Sequence, residues 1–149
     1  MGWWSETIMG GDAPLDWVGF LCDGWAQHDW ERDDTWHGYS VTKELIDANL
    51  GRILKNLRTC KVMGPGDPIG WQVLGVMIME HGARMPEDVR GHVLQVTSEM
   101  NPQEEGWCDP EARQRSLDNF WAAVHNYDGT PVKITEEGLF EAIDKLLGG

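Results

Sequence analysis

Cysteine, basic residues and long apolar runs are all scarce in this sequence, and each scarcity closes off a class of protein. The three cysteines, Cys22, Cys60 and Cys108, are odd in number and form no CxxC pair. A four-cysteine zinc site and a closed disulfide framework are therefore both excluded. Reduced thiols are the expectation, with Cys108, just ahead of a predicted helix start, the candidate for reactivity. Lysine and arginine number 12 against 25 acids, giving a net charge of −13 and a pI near 4.6. An exterior of that sign repels phosphate backbones and anionic lipid, so neither nucleic acid nor a membrane surface is expected as a direct partner. The longest apolar stretch, Val73 to Met79, contains Gly75 and is far too short to cross a bilayer. The opening MGWWSETIMGGD carries Glu6 and Asp12 and no base, unlike a secretory signal, so a cytoplasmic location is expected.

Signatures of cofactor chemistry are missing as well. Ser5, Ser40, Ser98 and Ser116 stand in no G-x-S-x-G context. Gly64-Pro65-Gly66-Asp67-Pro68 leads into a helix start but lacks the lysine of a P-loop and the dinucleotide fingerprint, so it reads as a turn. No cofactor is expected.

What is present is tryptophan, nine residues of it, and helical pitch. Asp12-Ala-Pro, Asp67-Pro and Asp109-Pro read as three helix starts. An N-cap carboxylate accepts from free backbone N–H groups, and proline is tolerated in the first turn. The spacing predicts helices over about 13–25 (Leu15, Val18, Leu21 and Cys22 inward), 42–58 (Leu45, Ile46, Leu50, Ile53, Leu54, Leu57) and 68–81, the last stopping at Gly82. That third helix is apolar almost all round, which assigns it to the centre. A fourth runs from Pro86 to about Glu99 and a fifth from Asp109 to about Tyr127. A sixth starts at Thr135 after a short extended piece. No strand alternation is visible. The expected architecture is all-α: one domain spanning 1–149, a single compact bundle of five to six helices with a Trp-rich N-terminal segment. Trp3 and Trp4 are expected to fold back onto it, or else to form a presented aromatic patch.

The densest polar run is His28 to Tyr39, HDWERDDTWHGY. His28, Asp29, Glu31, Asp33, Asp34 and His37 are ligand types for a divalent metal, but their spacing fits neither HExxH nor an EF-hand loop. The plainer reading is a solvated acidic loop anchored by Trp30 and Trp36, with no metal. His81 and His125 fall late in helices, where the dipole favours a cation and a structural role. Arg52, Lys55, Arg58 and Lys61 recur along the second helix and just past its end, within a block (51–84) that is net positive between two strongly acidic ones. These bases are expected to pair with acids of this chain or of a second copy.

The run MGWWSETIMGGDAPLDWVGFL resembles the start of a bacterial and phage domain family of unknown function. Met1, Gly2, Trp4, Ser5, Asp12, Asp16 and Trp17 match its pattern. The stretch WQVLGVMIMEHGARMPEDVRGHV is similar to its central helix, glycine turn and Pro-Glu helix start, with Met, Val and Ile where the family has alanine. Together these cover under half the chain. The resemblance implies a small helical domain in a phage or bacterial accessory protein and supplies no activity.

The function expected from all this is a non-enzymatic protein-interaction domain that engages a basic, partly apolar protein surface. One version is an inhibitor that imitates nucleic-acid charge. Trp25, Trp30, Asp33, Asp34 and Trp36 are the expected contacts, because tryptophan supplies affinity and opposite potentials speed encounter. Two alternatives stand beside it: a small metal-dependent hydrolase using His28, Asp33, Asp34 and His37, and a structural homo-oligomer joining the basic helix face to an acidic one.

Overall fold

The computed structural model describes residues 8–32 and 34–134. Within them the chain forms five helices and no strand: α1 (Asp12–Cys22), α2 (Lys43–Thr59), α3 (Pro68–His81), α4 (Glu87–Ser98) and α5 (Pro110–Asn126). The expected sixth helix, Trp3, Trp4 and Asp33 lie outside the described residues. Among the described residues no helix is long and apolar enough to cross a membrane.

Local chemistry sets most boundaries. Asp67 and Asp109 cap α3 and α5, accepting from the Ile69 and Ala112 N–H groups, and Thr42 caps α2 by accepting from Leu45 N–H. α3 stops where Gly82 takes the left-handed conformation, φ 68°. The start of α1 differs from expectation. Gly11 occupies the cap position without a side-chain bond, and Asp12 is already the first helical residue, where its charge favours the N-terminal dipole instead. α1 also ends at Cys22, short of Trp25, because the chain turns there: Trp25 and Ala26 N–H both donate to the Cys22 carbonyl.

α3 is the central element, packed against α1, α2 and α4, while α5 packs on α4. Every residue from Gly70 to Met79 is buried. Gly70 is needed there, since a Cβ at this position would lie 2.5 Å from Leu57 Cδ1 and 2.8 Å from the Trp17 ring. The missing side chain lets α1 and α2 close on α3 together. Trp17 is fully buried at this junction, and its indole N–H donates to Asp67 Oδ2 at 2.9 Å, so the carboxylate that caps α3 also fastens α1 to it. At the other end, the Arg90 guanidinium donates to the Val124, His125 and Tyr127 carbonyls, satisfying the C-terminal turn of α5 from α4. The Tyr127 hydroxyl, whose pKa burial pushes up to about 12, donates to Ala83 O at 2.5 Å.

Four residues given inward roles by periodicity sit nearer the surface. Leu45 is exposed, and Leu15, Leu50 and Leu54 are half-buried. A stripe of helical pitch identifies a face, but the width that a neighbour covers depends on the crossing.

Candidate functional site

The loop from Gln27 to Ser40 is folded by backbone bonds. Trp36 and Tyr39 exchange both of their N–H···O bonds, at 2.8 and 3.0 Å, across the two-residue connection His37-Gly38. Both central residues have positive φ, 48° and 88°, the signature of a type I′ turn. His37 is the only non-glycine at positive φ among the described residues. A third extended segment closes on this turn, with Asp29 N–H donating to Gly38 O and Ser40 N–H to Gln27 O, both at 2.8 Å.

Side chains then tie the loop to α3. The Trp36 indole N–H donates to Glu80 Oε2, while Glu80 Oε1 accepts from Ile134 N–H at 3.2 Å. One half-buried carboxylate thus holds both the loop and the segment that follows α5. His81 meets the Trp36 ring edge-on at 5.5 Å, with its Nδ1 2.7 Å from Met77 O. His37 also lies edge-on to Trp36, at 4.8 Å. Desolvation lowers the His37 pKa, Glu80 opposes that shift, and His81 reinforces it, so the imidazole is neutral at pH 7.

Between this loop and the outer face of α1 lies an open groove of about 920 Å³. Leu15, Asp16, Gly19, Phe20 and Asp23 of α1 form one wall. His28, Trp30, His37 and Tyr39 form the second, and Val62 and Met63, after α2, close an end. The surface is mainly apolar and aromatic. Trp30 is 71% exposed and Val62 77% exposed. His28 sits between two rings, 4.9 Å from both Trp30 and Tyr39 and edge-on to each. Burial raises the Tyr39 pKa, helped by Cys22 and Asp23, so its hydroxyl keeps its proton at neutral pH. The charged groups of the groove are Asp16 and Asp23. Asp23 has a loose partner in Arg52 at 3.8 Å, with both side chains well exposed, and among the described residues no base pairs with Asp16.

The residues expected as contacts separate in this arrangement. Trp30 lines the groove. Trp36 is half-buried and serves as the loop's anchor, and Trp25 is half-buried with its N–H donating to Leu21 O at 2.6 Å. Asp34 is exposed but held by Arg32 in a two-pronged pair, at 3.0 and 2.7 Å, which keeps its carboxyl below the usual range. It does not line the groove. Of the proposed metal set, His28 faces Trp30 and Tyr39, whereas His37 is at Trp36; among the described residues no three His, Cys, Asp or Glu side chains come together to hold an ion. Cys108 is exposed, Cys22 and Cys60 are buried, and burial pushes the Cys22 thiol up to about 12. The basic run on α2 is partly used internally: Arg52 approaches Asp23, and Arg58 lies over the Trp71 ring at 5.7 Å.

The α1 wall was missed by sequence reasoning. Leu15 was expected inward with Val18, Leu21 and Cys22, whereas Gly19 and Phe20 lie off that stripe, and an aromatic at Phe20 outside it is the signal that marks the wall. Tyr39, Val62 and Met63 carry no such mark. Compared with known families, curated proteins and solved structures, the chain matches no family model, no curated protein and no structure.

Proposed function

We propose that the chain is a non-enzymatic interaction domain whose groove between α1 and the 27–40 loop receives a basic, partly apolar segment of a partner protein. The observation that carries this reading is the pairing of an exposed aromatic and aliphatic lining with the carboxylates of Asp16 and Asp23 in one open groove. Tryptophan is among the side chains that binding surfaces favour, and Trp30 is presented here beside those carboxylates. The net charge of −13 attracts a basic partner over distance, and the apolar lining supplies affinity once it arrives. A bacterial or phage accessory role, working in the cytoplasm, accords with the opening residues Met1, Gly2, Trp4 and Ser5 and belongs to the same proposal. Capture of a basic amphipathic peptide measured at rising ionic strength tests it. Affinity is expected to fall steeply with salt, and affinity indifferent to salt would remove the charge-led mechanism.

A further inference from the structure

Among the described tryptophans Trp30 has an unusual setting. Trp17, Trp25, Trp36 and Trp107 each donate their indole N–H within the protein. Trp71 is stacked on His92 and Trp121 on His125. Trp30 is largely exposed, yet it is held. A Cβ built on Gly38 would lie 2.9 Å from three atoms of the six-membered ring at once, Cε2, Cζ2 and Cη2, so the indole lies flat over the bare glycine. His28 braces it from the side. An aromatic plane fixed in position without being covered loses little rotamer freedom on binding, which is the property of a rigid interface anchor. Elsewhere this chain satisfies indole faces with arginine: Arg58 lies over Trp71, and Arg113 over Trp107 at 4.4 Å.

We propose that Trp30 is the seat for an arginine side chain of the partner, its guanidinium stacked on the indole and its N–H groups directed to the Asp16 carboxylate. The inference rests on the interaction reading above and specifies what the groove recognises. Arginine suits the seat better than lysine, because its planar, weakly hydrated cation stacks on a ring while its edge still donates to a carboxylate. The partner's apolar residues then cover Leu15, Phe20 and Val62.

The test uses the full chain and three synthetic peptides, each with leucines flanking two positions that are both arginine, both lysine or both citrulline, the neutral isostere of arginine. Affinities are measured by calorimetry at low salt. The arginine peptide is expected to bind roughly tenfold more tightly than the citrulline peptide, and more tightly than the lysine peptide. Trp30→Ala should weaken the arginine peptide about tenfold and Asp16→Asn about threefold, while Asp34→Asn, outside the groove, leaves it unchanged. Circular dichroism checks that each variant stays folded. Salt-sensitive binding that Trp30→Ala does not alter, or equal affinity for arginine and citrulline, would overturn this inference and leave the interaction reading standing. Failure of both cationic peptides to bind at low salt overturns both. Sedimentation of the chain alone gives the last arm: a dimer that Trp30→Ala dissolves would assign the surface to a second copy and end the proposal.

Discussion

Trp17 and Trp30 belong to two regions that use the same side chain oppositely. Trp17 is sealed between α1, α2 and α3, its N–H spent on Asp67, and removing it opens the core. Trp30 stands on the loop with most of its surface in water, and its support comes from Gly38 and His28. The core thus obtains stability from burial, while the loop uses backbone bonds and a few anchors to keep an apolar surface on display.

The largest expected effect lies in the core. Trp17→Ala should cost about 3–5 kcal/mol in chemical denaturation, because it deletes a fully buried ring and strands Asp67. Next comes the tie between the regions. Glu80→Ala removes the acceptor for both Trp36 and Ile134 and should cost about 1.5–3 kcal/mol. It should also speed amide exchange in the 27–40 loop more than in α3, and uniform exchange would show that the loop is not held through Glu80. Gly70→Ala should cost about 1–3 kcal/mol by forcing α1 and α2 away from α3.

Smaller effects sharpen the loop side. Asparagine tolerates the left-handed conformation and is favoured ahead of glycine in a type I′ turn, so His37→Asn should stabilise the fold by up to about 0.5 kcal/mol at pH 7. It should also flatten the acid side of the stability profile. The folded-state pKa of His37 is lowered, so below about 6.5 the unfolded chain takes up a proton that the folded one resists. Stability therefore falls as pH drops from 7 to 5, and thermal melts should show a smaller drop in His37→Asn. Trp30→Ala sits at the bottom of the series, within about 0.5 kcal/mol of wild type in stability, although it carries the largest expected loss in binding.

Much of the helical frame was readable in the chain. The limits of α3, Pro68 to His81, match the expectation because Asp67 caps, proline starts and Gly82 stops it, all within a few residues. The central position of α3 followed from its lack of a polar face. The site was less legible. Trp30 and Trp36 share one polar run and look alike in sequence, yet one is displayed and the other clamped, because only Trp36 reaches Glu80 on α3. The two-residue turn at His37-Gly38 was hidden, since residues other than glycine seldom take positive φ and the flanking segments are too short to alternate.

Sequence alone determined where α3 begins and ends, that it is the innermost helix, and the sign of the net charge. Those properties depend on neighbours three or four positions apart and on composition. Tertiary structure decided that α1 keeps a second apolar face uncovered, and that a loop folds opposite it to make a groove. The contacts responsible join residues far apart in the chain, Gly38 beneath Trp30 within a loop fastened to Glu80, and no local pattern of residue types encodes them.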